Sequence, residues 1–122
     1  MKNLISIVEI PTSDFSRAIT FYQAILEVNI EEMEMGEVKM GMFPNDGKEI
    51  FVQLIHGSDY KPSAHGTIVY LNGGDDLQEV ASKIEANGGK IIVPKTEIGP
   101  EMGFYAMFRD SEGNKLGLHS LK

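Results

Sequence analysis

Short apolar runs alternate with amphipathic segments along this chain, and their spacing predicts the elements of the fold. Leu4 to Ile10 (LISIVEI) is rich in β-branched residues and predicts a strand, which Pro11 closes because proline cannot continue a central ladder. Residues 12–14 carry side-chain oxygens that can cap a helix. A helix across one face of a sheet is then indicated by apolar residues at helical spacing: Phe15, Ala18, Ile19, Tyr22, Ile25 and Leu26.

Three further strands complete a first unit. Asn29 to Met35 and Glu37 to Phe43 alternate in polarity on either side of Gly36, which predicts two strands joined by a turn. After a second turn at residues 44–47, Glu49 to His56 (EIFVQLIH) predicts a fourth strand. The order is βαβββ, and the polar stretch from Gly57 to Ala64 is typical of a linker.

The same order of elements then begins again. Gly66 to Leu71 (GTIVYL) predicts a strand, and residues 73–76 can cap a second helix that ends at Asn87-Gly88-Gly89. The apolar stripe of that helix consists of Leu77, Val80, Ala81 and Ile84. Three strands follow, with a tight turn at residues 110–113 between the last two: Lys90 to Pro94, Gly103 to Arg109 and Asn114 to Leu121.

Two such units predict an α+β fold. A first module at about residues 1–56 and a second at about 65–122, joined by the linker 57–64, would form a single domain spanning residues 1–122. A four-stranded sheet with one helix leaves one of its faces bare. The modules are therefore expected to close on each other, either within one chain or by exchange between two chains, and we expect a homodimer.

Composition and charge narrow the function classes. The chain of 122 residues has no cysteine, which excludes disulfides, thiolate metal ligands and cysteine nucleophiles. Neither a secretory signal nor a membrane-spanning segment is indicated, so we expect a cytoplasmic protein with no membrane partner. A net charge of −7 with scattered basic residues disfavours nucleic-acid binding.

The last predicted hairpin carries a specific motif, aromatic-Ala-x-Phe-x-Asp-x-Glu-Gly-Asn-x-x-Gly-Leu, from Tyr105 to Leu118. It resembles the final hairpin of the vicinal oxygen chelate superfamily, which includes glyoxalases, bleomycin resistance proteins and extradiol dioxygenases. The segment from Asp14 to Tyr22 is similar to the first helix of that family. The resemblance is strongest to the glyoxalase-like branch of unassigned function. It implies two βαβββ modules that form a cup-shaped mixed sheet, with the helices on the outer face and the ligand on the concave side.

The resemblance also implies four metal-ligand positions, one on each of four strands. They fall on side chains that offer one neutral amide and no carboxylate or imidazole: Ile7, Gln53, Thr67 and Gly117. We therefore predict no metal, no other cofactor, and no metal-dependent glyoxalase or dioxygenase activity. A displaced metal site built from Glu9, His65 and His119 is not expected either, because the two histidines diverge along the sheet.

The function predicted from these residues is binding of an unidentified small molecule. Phe51, Gln53, Thr67 and His119 would face the cavity, and Glu9 would supply an acidic contact. One alternative is a lyase, isomerase or dioxygenase-type enzyme with Glu9 or His119 as general base. Others are an antibiotic-sequestering resistance protein and an interaction module with a filled cup. Four methionines on adjacent strands are assigned to the core, with a pocket lining or a dimer seam as alternatives: Met33, Met35, Met40 and Met42.

Overall fold

A computed structural model describes residues 4–47 and 50–122. The elements of the first module are β1 (Ile7–Pro11), α1 (Phe15–Leu26), β2 (Glu31–Met35), β3 (Val38–Met42) and β4 (Phe51–His56). Those of the second are β5 (Tyr70–Asn72), α2 (Gln78–Ile84), β6 (Lys90–Gly99), β7 (Gly103–Arg109) and β8 (Lys115–Ser120). A single 3-10 turn, Glu85–Asn87, extends α2. Both modules therefore have the predicted βαβββ order.

Each module forms its own four-stranded mixed sheet. The strand orders are β1-β4-β3-β2 and β5-β8-β7-β6, so the first strand of each module pairs with its last. These pairs, β1 with β4 and β5 with β8, are parallel, and the other neighbours are antiparallel. The predicted α+β fold of two βαβββ modules is confirmed. No helix of the described ranges is long and apolar enough to cross a membrane.

The first strand differs from its prediction at both ends. It begins at Ile7 rather than Leu4, and it includes Pro11, which was expected to close it. The reason lies in the position of β1 at the edge of its sheet. Thr12 N donates to Ile55 O at 2.9 Å, so the backbone nitrogen of the preceding proline faces away from β4 and its missing N–H removes no ladder bond.

Two other predicted strands have the wrong length, and one predicted strand lies partly outside the described residues. The fifth covers only Tyr70–Asn72, and the predicted segment before it, residues 66–69, is irregular and begins with Gly66 at a φ of 98°. The sixth continues through Pro94 to Gly99, because β6 is also an edge strand and has bulges that accommodate proline. Of the predicted fourth strand, Glu49 lies outside the described residues.

Helix α1 packs at the centre of the molecule. Asp14 caps it by accepting the backbone N–H of Arg17 at 3.1 Å, as the sequence predicts. Its buried side chains include Phe21, which the predicted stripe left out and whose ring lies 6.4 Å from that of Phe108 in the second module. The hydrophobic cluster around it draws on both modules: Ile10 and Leu54 belong to the first, and Ala106, Phe108 and Leu118 to the second.

The face of the first sheet that turns away from this cluster, termed here the open face, is apolar and exposed. Side chains alternate along each strand, so Ile7, Phe51, Met33, Met35, Met40 and Met42 share it. Met33 is 49% and Met35 62% exposed, so the assignment of these two methionines to the core is wrong. The physical reason is that α1 covers only the opposite face, where Leu54 is fully buried.

Candidate functional site

Strands β1 and β4 bring a carboxylate and an amide together on the open face of the first sheet. Glu9 and Gln53 are neighbours in the parallel register, and Gln53 Nε2 donates to Glu9 Oε2 at 2.9 Å. The same amide lies 3.4 Å from Met40 Sδ. Gln53 is buried and Glu9 is exposed, so the amide fixes the carboxylate on an otherwise apolar surface. A carboxylate in that position can bind a cation or accept hydrogen bonds from a ligand.

A small cavity of about 180 Å³ lies beside this pair, between β1, the linker and the start of β8. Glu9 and Thr67 both line it, so the structure brings these two predicted residues together. Its other polar side chains include three with basic groups, namely Lys61, His65 and Lys115. The cavity is too small for a drug-sized ligand, which takes several hundred cubic ångströms.

A larger cavity of about 810 Å³ lies over the second sheet. Its wall includes Tyr70, Asn72 and His119 from the paired strands β5 and β8, and Ile98 from β6. His119 Nε2 lies 2.8 Å from the carbonyl oxygen of Met102. Because a carbonyl only accepts, Nε2 carries a proton, and Nδ1 is the acceptor of the neutral ring. Asn72 Oδ1 accepts from Gly74 N at 2.9 Å, which leaves the side-chain NH₂ group of Asn72 as a donor.

The hydrogen-bond register shows which positions of the two modules correspond. At the end of each parallel pair a backbone N–H returns to the last strand, from Thr12 to Ile55 at 2.9 Å and from Gly73 to His119 at 2.7 Å. Counting back two residues along β4 and β8 makes Gln53 equivalent to Gly117. Their partners in the register are Glu9 and Tyr70 respectively.

In the second module, the place that corresponds to the Glu9–Gln53 pair is occupied by the aromatic ring of Tyr70. A Cβ atom added at Gly117 would lie 2.5 Å from Tyr70 Cε2 and 3.0 Å from Tyr70 Cγ, closer than packed carbon atoms approach. The Tyr70 ring therefore occupies the space that a side chain at position 117 would need. Tyr70 is nevertheless 51% exposed, so much of its ring remains accessible from the cavity.

The metal that the family resemblance implies does not fit these residues. Ile7, Thr67 and Gly117 offer no donor of the kind that holds a divalent ion, and Gln53 offers only a neutral amide, whose Nε2 donates to Glu9. Across residues 4–47 and 50–122, no three His, Cys, Asp or Glu side chains are grouped closely enough to hold an ion.

The predicted site residues do not form one cluster. Glu9 and Gln53 are bonded, Thr67 shares the small cavity with Glu9, and Phe51 lies exposed on the open face of the first sheet. His119 lines the larger cavity instead. Sequence reasoning missed Tyr70, because a strand drawn from Gly66 puts it on the face opposite Thr67. One signal in the sequence is the internal repeat. Aligning the two modules by their helix starts, Phe15 and Gln78, places Tyr70 opposite Ile7, which shares a sheet face with Glu9.

A buried carboxylate joins the second module to the start of α1. Glu112 Oε1 accepts the backbone N–H groups of Ser13 at 2.8 Å and Asp14 at 2.6 Å, and Glu112 Oε2 accepts Arg17 Nε at 2.8 Å. Burial disfavours its charge, but the hydrogen bonds from Arg17 and from these backbone groups outweigh burial and lower the pKa of Glu112 to about 2. The contact holds the last hairpin against the helix N-terminus.

A second carboxylate lies behind it. Asp110 Oδ2 accepts Tyr22 Oη at 2.7 Å and Asn114 Nδ2 at 3.0 Å, and the amide of Asn114 also donates to Pro11 O at 2.7 Å. Burial raises the pKa of Asp110 despite these hydrogen bonds, and burial together with the nearby Asp110 raises the pKa of Tyr22. Asp110, Glu112 and Asn114 of the hairpin motif thus connect the two modules.

Comparison with known proteins places this geometry in a family. Residues 4–118 match the model of the Glyoxalase/Bleomycin resistance protein/Dioxygenase superfamily. A glyoxylase-like domain-containing protein from Didymella fabae is 28% identical over 120 residues, covering 90% of this chain and 88% of that protein.

Solved structures agree in fold. UcmS2 superposes with a TM-score of 0.72 at 24% identity, covering 98% of both chains. TnmS3, an antibiotic binding protein from Streptomyces sp. CB03234, gives 0.71 at 18% identity, covering 100% of this chain and 99% of that one. Glyoxalase I from Zea mays gives 0.74 at 19% identity, and the match covers 94% of this chain but only 45% of the maize chain. Because the family model matches nearly the whole sequence, this chain belongs to the Glyoxalase/Bleomycin resistance protein/Dioxygenase superfamily.

Proposed function

We propose that this chain is a metal-independent small-molecule binding protein of its superfamily. The ligand would lie against the open face of the first sheet, where Glu9, Phe51 and Gln53 contribute, and in the larger cavity over the second sheet, where His119 contributes. Thr67 would contribute from the small cavity beside Glu9. No metal or other cofactor takes part in the proposal, and binding rests on apolar contact with a few polar groups.

The observation that carries the proposal is the pairing of Tyr70 with Gly117. The fourth ligand position of the family has no side chain here, and an aromatic ring fills the space where one would stand. Restoring a carboxylate at position 117 would require this ring to move. The place is therefore suited to contact with an organic ligand rather than to coordination of an ion.

Relatives of the same fold support a binding role. TnmS3 is an antibiotic binding protein whose whole chain superposes on this one. Sequestration of an antibiotic is a narrower form of the proposal, and a screen that includes antibiotics tests it. A cytoplasmic location also belongs to the proposal, since the cysteine-free chain needs no oxidising compartment to fold.

A thermal-shift screen tests the proposal directly. The purified chain is heated alone, with divalent nickel, zinc, manganese or iron salts, and with a panel of metabolites and antibiotics. A ligand that binds the native state raises Tm, whereas the metal salts are expected to leave it unchanged. The proposal fails if the protein purifies with a stoichiometric divalent metal, or if a chelator abolishes binding of the small molecule.

We further propose that the protein is a homodimer. Large apolar side chains remain exposed on both sheets: Phe51, Met33 and Met35 on the open face of the first, and Tyr70 on the cavity-lining face of the second. Continuous apolar patches of this kind usually mark an interface or a ligand site. Light scattering after size exclusion should give twice the chain mass, and Met35→Glu should shift the protein toward monomer while an exposed control, Glu97→Gln, should not. A monomeric wild-type chain at micromolar concentration contradicts the proposal.

An enzyme is the second candidate, and the Glu9–Gln53 pair is the observation that favours it. A carboxylate fixed at 2.9 Å by an amide and exposed to a ligand could act as a general base in isomerase or lyase chemistry. Glu9→Gln removes the base and keeps the shape, so turnover of any ligand found in the screen would be abolished. Under the binding role the same variant only weakens affinity. For the second sheet, His119→Gln distinguishes the same two roles: an enzyme would lose turnover, whereas a binding protein would only lose affinity.

A further inference from the structure

We infer that the larger cavity takes a planar conjugated ring, stacked against Tyr70 and bearing a hydroxyl or N–H group. The inference rests on the proposed function and names the class of its ligand. It begins from the position of Tyr70 between Gly117 on one side and the cavity on the other.

Gly117 fixes where the tyrosine ring lies. The ring atoms nearest to an added Cβ are Cδ2, Cε2 and Cγ, so the glycine lies beneath one side of the ring. Side chains larger than glycine would push the ring away from the sheet. The ring is thus packed against backbone on one side, while the half that is exposed is the aromatic surface of the cavity. Aromatic rings held in this way favour offset stacking with another planar ring.

The rest of the wall suits a ring with one polar edge. Ile98 is exposed on β6 and offers an apolar contact within the same cavity. His119 occupies the register position two residues beyond Gly117, and its Nδ1 is the acceptor left after Nε2 bonds Met102 O. The NH₂ group of Asn72 is a donor at the neighbouring position of β5. A hydroxyl group can satisfy both, because it donates one hydrogen bond and accepts others.

The volume of about 810 Å³ allows more than one fused ring. The residues of β5 and β8 that line this cavity include no lysine or arginine, which argues against a phosphate or a carboxylate as the group that is recognised there. Lys122 and Asp75 also line the cavity, and their charges are opposite. The recognised part of the ligand is therefore an uncharged conjugated ring.

The test uses two probes with the same skeleton and the same hydroxyl. β-Naphthol is planar and conjugated, and decahydro-β-naphthol is saturated and not flat. Isothermal titration of the full chain should show tighter binding of the planar probe. In Tyr70→Leu, binding of β-naphthol should weaken by about 2- to 13-fold, which is the range that stacking contributes beyond buried area. Binding of the saturated probe should change by less than about twofold.

Tyr70→Phe is the matched control, because it keeps the ring and removes only the hydroxyl. It should bind β-naphthol like the wild type. Urea denaturation of each variant shows that it is folded under the conditions of the titration. Amide shifts in a two-dimensional NMR spectrum then locate the probe, and ring-current shifts at Gly117 and His119 are expected.

Each outcome has one meaning. If β-naphthol fails to bind the wild type at millimolar concentration, or if Tyr70→Leu weakens both probes equally, the stacking inference is wrong. Shifts confined to Glu9 and Gln53 also overturn it, because the probe would then lie on the first sheet. The proposed function survives these results whenever the thermal-shift screen finds another metal-independent ligand. The proposed function itself fails if binding of the small molecule requires a divalent metal.

Discussion

The strongest quantitative prediction concerns the stability that the ionised side chain of Glu112 contributes. Glu112 is buried and receives hydrogen bonds from two backbone N–H groups and from Arg17, and its pKa falls from 4.5 to about 2. At about 1.4 kcal/mol per unit, the shift sets an upper bound of about 3 kcal/mol on the stability that the ionised group contributes. Arg17 is 52% exposed, so solvent screening reduces its share, and about 1–2 kcal/mol is a realistic figure.

Glu112→Gln removes the charge and keeps the size of the side chain. Its oxygen can still accept from Ser13 and Asp14, but its NH₂ group would face the guanidinium of Arg17. At neutral pH we expect the free energy of unfolding to fall by about 1–2 kcal/mol, which corresponds to roughly 4–8 °C in Tm for a chain of this size. Urea denaturation followed by circular dichroism measures it.

The pH dependence provides the decisive comparison. The folded pKa of Glu112 lies below the unfolded value, so its stabilisation is complete above 4.5 and is lost as the pH falls toward about 2. The difference between the wild type and Glu112→Gln should therefore shrink through this window. Glu97→Gln, an exposed carboxylate on β6, is the matched control and should change stability by less than about 0.5 kcal/mol. A Glu112→Gln difference that is the same at about pH 3 as at neutral pH would refute the electrostatic account.

Three further predictions concern buried contacts. Tyr22→Phe deletes the hydroxyl that donates to Asp110 at 2.7 Å, so the free energy of unfolding in urea should fall by about 1–3 kcal/mol, and an unchanged stability would contradict this. The pKa of Asp110 should also rise further, and NMR titration of the Asp110 carboxyl carbon measures it. Gly117→Glu should lower the free energy of unfolding by about 1–3 kcal/mol, because the new side chain clashes with the Tyr70 ring, and adding Tyr70→Ala should recover at least about 1 kcal/mol. Strict additivity in this double-mutant cycle would show that the two positions do not interact. Gly89→Ala places a Cβ 2.6 Å from Arg109 O and 2.8 Å from Phe21 Cε1, so it should lower Tm by several degrees. Gly99→Ala has open space at its Cβ and should leave Tm unchanged, so equal effects of the two variants would exclude the packing explanation.

The sequence predicted the modules well because their elements depend on local periodicity. Alternation along β2 and β3 and the apolar spacing of α1 are visible within a dozen residues. Asp14 begins α1 by accepting a backbone N–H, and Gly88 ends the 3-10 turn after α2 in a left-handed conformation, so both effects are local. The prediction failed at β1, β5 and β6. In β1 and β6, edge position decides whether proline is tolerated, and edge position is a property of the whole sheet.

Candidate site residues were harder to predict. Glu9 is identifiable from local pattern, because it is a carboxylate in an apolar strand and side chains alternate along that strand. Gln53 is identified through the family resemblance, and the register places it opposite Glu9, with Phe51 on the same face. Tyr70 was missed because residues 66–69 are irregular instead of extended, so the alternation of side chains counted from Thr67 does not continue to Tyr70.

What the sequence determined alone is the order of elements, the family motif, and the residue types at the four positions where the resemblance places metal ligands, namely Ile7, Gln53, Thr67 and Gly117. Tertiary structure decided what surrounds them, since Tyr70 and Gly117 meet only through the parallel pairing of β5 with β8. Tertiary structure also decided the role of the hairpin motif, because Glu112 of that motif accepts a hydrogen bond from Ser13, 99 residues away in the sequence. Such contacts depend on the packing of distant segments, and the identity of neighbouring residues carries little information about which distant side chain will fill a given space.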